Sequence, residues 1–187
     1  FYPEQCNETL SKWLVGGIAA TAKDVEVALT EFRFNEAAGR IYQFAWHSYC
    51  DWFLEFAKPV FMGTDETAKK EIRAVSAWGL DQIMRMLHPF MPFITEEIWQ
   101  HLTGQKDWLI QAGWPELPTS LKDAKAAEEI EWLIKLITEV RAVRAEMNVP
   151  AAAQIPLIVQ GASSETISRV ERHKPLILRL ARLSRLD

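Results

Sequence analysis

HPFMPFITEEIWQHL, residues His88 to Leu102, sets Pro89 and Pro92 three residues apart and follows them with Glu96, Glu97, Trp99 and His101. The residue before a proline is biased out of the α region, so a preceding helix is expected to stop at His88. Pro92 suits the first position of a new helix, and Glu96 and Glu97 in its early turns favour the positive end of the helix dipole. Ile94, Ile98 and Leu102 are expected to face inward, and Gly104 to close the helix. The stretch thus reads as a corner between two helices, and the chain on either side reads as more of the same.

Upstream, Leu14, Ile18, Ala22, Val25, Leu29 and Phe32 recur at steps of three and four, predicting an amphipathic helix over about residues 8–31. From Asn35, read as an N-cap, to about Ala57, two apolar stripes run side by side. One holds Ala38, Ile41, Ala45, Tyr49, Trp52 and Phe56, and the other Tyr42, Trp46, Phe53 and Ala57. A helix apolar over so wide an arc is expected to be surrounded by partners. Gly63-Thr64-Asp65-Glu66 reads as a stop followed by a fresh cap, opening a third helix whose core face is Ala68, Ile72, Val75, Gly79, Ile83 and Leu87.

Downstream, Gln105 to Ser120 reads as an irregular connection, with Trp108 and Trp114 plugging the end of the bundle. Ile130, Leu133, Ile134, Ile137, Val140 and Val143 mark a fifth helix over about residues 122–147. After Pro150 the texture changes. Ile155 to Gln160 reads as one strand, Glu165 to Arg172 as a polar helix, and Leu176 to Leu183 as a second apolar run. The expected fold is therefore mainly α: an antiparallel helical bundle over residues 1–149, with a small α/β appendage over 150–187.

A chain of 187 residues, 49% hydrophobic and 25% charged, can bury a large core, and no apolar run approaches the roughly 20 residues of a membrane helix. Two cysteines, Cys6 and Cys50, make no disulfide framework, so a reducing, cytoplasmic setting is expected. The first residue, Phe1, is read as the start of a segment cut from something longer. The net charge of −4 disfavours a general nucleic-acid coat, but it is unevenly spread, with residues 165–187 carrying +3 and the rest −7. A basic tail on an acidic body can meet phosphate, although a solvated amphipathic face is the commoner reason for such a pattern.

Candidate chemistry is sparse. His88, Glu96, Glu97 and His101 crowd together, but neither H-E-x-x-H nor a pair of Glu-x-x-His motifs occurs, so no metal site is expected. Cys50 is expected to be a buried, inert thiol, and no phosphate-cradling glycine motif is present. The chain does not read as an enzyme. What remains is aromatic rings beside cations, on which unstacked bases bind. Arg33-Phe34-Asn35 at a helix–helix junction fits that use. From pattern alone the bland alternative is stronger, with Phe34 a staple, Asn35 a cap and Arg33 a solvated charge.

RFNEAAGRIYQFAWHSYCDWFLEFAKPV (Arg33 to Val60), LDQIMRMLHPFMPFITEEIW (Leu80 to Trp99), WLIQAGWPE (Trp108 to Glu116) and VRAVRAEMNVP (Val140 to Pro150) together resemble the anticodon-binding region of bacterial-type valyl-tRNA synthetases. Class I synthetases for leucine, isoleucine and methionine share a looser form of the Pro-x-x-Pro hinge. HPFMPFITEEIW and the CDW-x-LE-x-(A/T)KP pattern at Cys50 to Pro59 are similar to the valine enzymes specifically. The resemblance implies a fragment of an ATP-dependent valine–tRNA ligase that grips the anticodon stem-loop of tRNA(Val). It implies that the catalytic domain, which uses ATP and Mg and carries HIGH and KMSKS signatures, and the editing domain lie outside this chain, which holds no cofactor of its own. It further implies that residues 150–187 lead into a C-terminal tRNA-binding arm. The contact residues it points to are Arg33, Phe34 and Asn35 at one corner and Phe93, Glu96 and Trp99 at the other. Phe34 would stack a base, Arg33 would meet phosphate or a base edge, and Asn35 and Glu96 would read polar base edges. Two other classes stay open: a helical scaffold that binds protein, and a metal-dependent hydrolase centred on His88 and His101.

Overall fold

The computed structural model describes residues 1–104 and 107–187, the side chain of Thr103 excepted. The expectation for the opening of the irregular connection, at Gln105 and Lys106, lies outside the described residues. The chain forms two compact units, Phe1–Ala127 and Glu128–Asp187.

The first unit is an array of helices: α1 (Thr9–Thr30), α2 (Phe34–Gln43), a π-helical segment (Phe44–Phe53), α3 (Leu54–Met62), α4 (Glu66–Leu87) and α5 (Pro92–Thr103). Asp65 caps α4, its Oδ1 accepting from the backbone N–H of Thr67 at 2.9 Å and Ala68 at 3.0 Å, which satisfies two of the donors a helix start leaves orphaned. Two 3₁₀ turns, Leu109–Gln111 and Thr119–Leu121, punctuate the extended segment after α5.

The core of this unit gathers where α1, α4 and the π segment meet. Leu14, Ile18, Ile72, Val75, Ile83 and Phe53 are essentially free of solvent, and each such side chain contributes roughly 1.5–3 kcal/mol by leaving water. At Gly79 a β-carbon would come within 3.2–3.3 Å of Ile18, Leu14 and Tyr49 at once, so glycine is what lets α4 approach so closely.

The two apolar stripes of the second predicted helix do not both face inward. Tyr42 and Trp46 are exposed, stacked on each other at 6.2 Å and 10°, whereas Phe53 and Ala57 are buried. The π segment explains the split. Each i→i+5 turn accommodates an extra residue, which turns later side chains by about 100° relative to an α-helical register. The same shift leaves Cys50 exposed rather than buried.

In α5 the inward side chains are Thr95 and Trp99, while Ile94 and Leu102 are exposed and Ile98 lies between. The expected inward stripe is one position out of phase, because the hydrogen bonds of Thr95 and Trp99 described below decide which face is buried.

The second unit comprises most of α6 (Ala124–Glu146), then β1 (Ile155–Leu157), α7 (Ser164–Leu180) and β2 (Leu183–Leu186). The strands pair in parallel, Ile155 opposite Leu183 and Leu157 opposite Leu186, with α7 as the crossover that parallel pairing requires. Two strands form where the sequence predicts one, since the tail of the apolar run after Leu176 leaves the helix at Ala181 and pairs with β1. The polar and apolar runs of that region are one helix, which passes through Pro175 without a break. Along α6, Ile130, Leu133 and Ile137 are buried, but Val143 is exposed and Arg144 takes the inward place. Arg144 donates to the carbonyls of Pro150, Ala153 and Arg182, and Arg141 Nε to that of Leu180. These bonds tie α6 to the α/β segment, and the compact units divide after Ala127 rather than at residue 150.

Candidate nucleic-acid interface

The corner between α1 and α2 takes only three residues. Arg33 N–H donates to Ala28 O at 2.8 Å and Phe32 N–H to Leu29 O at 3.1 Å, the paired bonds that close a helix when the next residue turns left-handed. That residue is Phe32, with φ at 58° and 79% exposed. Glycine usually occupies such a place, and a side chain there costs about 1–2 kcal/mol. Phe34, 53% exposed, meets Phe32 edge to face, with ring centres 6.2 Å apart and planes at 79°. The turn hands the chain to α2 at Phe34, so Asn35 falls inside the helix and is not its cap; Arg33 holds that position without a side-chain cap bond. The Arg33 guanidinium pairs with Glu31 at 2.5 Å and with Glu36. Its hydrogen bond to Glu31 leads the causes that raise its pKa further above the ordinary value.

The second corner spans residues 88–91. Phe90 and Met91 N–H groups return to Leu87 O at 2.9 and 3.0 Å, and Pro92 opens α5. Thr95 Oγ1 donates to Met91 O at 2.8 Å and lies 2.8 Å from His88 Nδ1. Phe93 projects from this edge at 90% exposure. Glu96 and Trp99 point elsewhere. Glu96 accepts from the Leu109 and Ile110 N–H groups at 2.8 and 3.3 Å, holding the segment after α5. Trp99 is 2% exposed and donates its indole N–H to Asp81 Oδ1 at 2.6 Å. Trp99 therefore corrects the sequence expectation of a surface contact: its ring fills core and its N–H secures α5 to α4.

Both corners lie at one end of the first unit. Glu71, near the start of α4, accepts from the N–H groups of Asn7 and Glu8 just ahead of α1, and Gly79 packs against Leu14 and Ile18. The two helices thus run side by side in the same direction, and their C-terminal ends emerge together. Phe32, Phe34 and Phe93 are the exposed rings of that end.

Residues 11–159 match the family model described as the anticodon-binding domain of tRNA ligase. The chain belongs to that family. Among curated relatives it is 47% identical to the valine–tRNA ligase of Rhizobium meliloti (strain 1021), across 100% of this chain and 20% of that protein. It is 47% identical to the enzyme of the same name from Agrobacterium fabrum, across 97% of this chain and 19% of that protein. With the valine–tRNA ligase of Caulobacter vibrioides it shares 46% identity, over 98% of this chain and 21% of the relative. The chain spans about a fifth of the length of the curated relatives it matches.

In this anticodon-binding domain the other reactive groups have local employment. Burial, then the charge of Glu71, pushes the Cys6 thiol up to about 11, and burial with Asp51 raises that of Cys50, so neither is poised as a thiolate nucleophile. His101 lies 3.7 Å from Glu97 on the exposed face of α5, apart from the Thr95 contact of His88. No cluster of three or more potential metal ligands occurs among the described residues, and no described helix is long and apolar enough to cross a membrane. Phe32 escapes the sequence reading because it falls on the periodic stripe of α1 and so looks like core. The signal available is the shortness of the junction, which forces a left-handed residue without supplying a glycine.

Proposed function

We propose that this chain is the part of a cytoplasmic valine–tRNA ligase that binds the anticodon stem-loop of tRNA(Val). In this reading, ATP, Mg and the chemistry of aminoacylation and editing belong to other domains of the parent protein, which are this domain's partners within the chain. The observation that carries it is the end of the bundle where Phe32, Phe34 and Phe93 stand exposed on two short, rigid corners. Unpaired bases of a loop present π faces, and exposed aromatic rings stack on them.

The roles divide by chemistry. Phe34 stacks a base, with Phe32 supporting it edge-on, and Phe93 offers a second ring. Asn35 reads a base edge. Arg33 already carries two carboxylates, so a phosphate would have to displace them; it acts on a base edge while bracing the corner. Glu96 and Trp99 are positioning residues, fixing α5 and the segment beyond it. Replacing Phe34→Ala tests the reading: each stacked base is worth roughly 1–3 kcal/mol, so filter binding should show tRNA(Val) affinity lowered about 5- to 150-fold. Unchanged affinity in a folded variant would reject the assignment.

A further inference from the structure

Arg141, Arg144 and Arg182 line one cavity of about 370 Å³ in the second unit, and no aspartate or glutamate lines it with them. Arg144 is only 7% exposed. Its guanidinium donates to Ala153 O at 2.7 Å, Arg182 O at 3.2 Å and Pro150 O at 3.3 Å. Carbonyl oxygens satisfy donors but bring no counter-charge, and a buried cation is ordinarily matched by an anion. Among the described residues, neither Arg144 nor Arg182 pairs with a carboxylate; the hydrogen bonds of both side chains go to carbonyls.

The other two guanidiniums are likewise pinned from the backbone side. Arg141 Nε donates to Leu180 O at 2.9 Å, and Arg182 donates to Ala151 O. Arg182 holds φ at 53°, a left-handed conformation disfavoured for any residue but glycine or asparagine, and such outliers persist where the surroundings and function demand them. Arg141 and Arg182 are exposed, whereas Arg144 is buried. Three guanidinium charges around a cavity that no acid lines suit the negative charge of a phosphate group.

We infer that this cavity seats a backbone phosphate of the bound RNA, giving the second unit an electrostatic contact separate from the aromatic corners; the inference rests on the tRNA-binding reading above.

The test titrates tRNA(Val) against the chain at several salt concentrations, comparing the unaltered protein with Arg182→Gln and with the Arg141→Gln/Arg182→Gln pair. Arg144 is kept, because its clasp on three carbonyls makes its loss a folding defect, and circular dichroism confirms that the variants fold. The slope of log affinity against log salt should become shallower by about one for each phosphate that the variant no longer neutralises. An unchanged slope, with the unaltered chain still binding tRNA and Phe34→Ala still weakening it, overturns the inference and leaves the proposed function standing. A second arm follows the arginine Nε–H signals by NMR as inorganic phosphate is added. Saturable shifts at these three arginines with no change in the tRNA slope would assign the cavity to free phosphate and also overturn the RNA contact. If the unaltered chain binds no tRNA at any salt, the tRNA reading itself fails and takes this inference with it.

Discussion

Phe32 holds a conformation that costs the fold something burial of its ring does not return. Its ring is exposed and its backbone sits in the left-handed region. Phe32→Gly should therefore stabilise the chain by about 0.5–1 kcal/mol, the relief of strain being partly offset by the greater freedom of glycine when unfolded. The urea-unfolding midpoint checks the first half of this account. Affinity for tRNA(Val) checks the second, and it should fall as stability rises. A variant both more stable and equally tight in binding would make Phe32 a mere accident of the turn. At this scale the sequence is legible where backbone chemistry is local: a fresh cap within Gly63 to Glu66, the stop at His88, Pro92 at a helix start and Gly104 beyond its end all appear. It misleads where three residues serve two helices. Asn35 is a good cap by type, yet the turn that closes α1 places it two residues past the cap position.

Among the elements, helix periodicity locates α1, α4 and α6, because long stripes outvote local exceptions. It cannot show the π segment, since an inserted residue changes the phase without changing the composition. Nor can it separate α7 from β2, whose apolar residues follow one another across Ala181. The join of α6 to α7 has a pH signature. Glu129 accepts from Arg172 and His173 at 2.6 Å. Burial alone would raise the Glu129 carboxyl, but these hydrogen bonds and charges outweigh it and hold the pKa below its ordinary value of 4.5. A carboxyl depressed by folding contributes stability that is present above its unfolded pKa and lost as pH falls through the folded one. The unaltered chain should thus lose urea resistance as pH falls below the ordinary carboxyl value of 4.5, and Glu129→Gln should flatten part of that loss. An identical pH dependence in the variant would show that the pair contributes nothing to it.

Across the whole molecule, resemblance in four stretches supplies the family, and the fold class follows from periodicity. The division of the chain does not. α6 looks like one more bundle helix in sequence, and only the arginine bonds on its far half reveal that it belongs with the α/β segment. Which rings are exposed is the least legible, since the same aromatic letters serve core and surface: Trp99 goes inward and Phe32 outward. The central claim is that this domain reads the anticodon loop of tRNA(Val). Titrating the chain with tRNA(Val), and with the same tRNA carrying a non-valine anticodon, at one fixed low salt concentration tests it most directly. The account predicts tighter binding to the valine anticodon, with the difference abolished by Phe34→Ala. Equal affinity for both RNAs in the unaltered chain would contradict it.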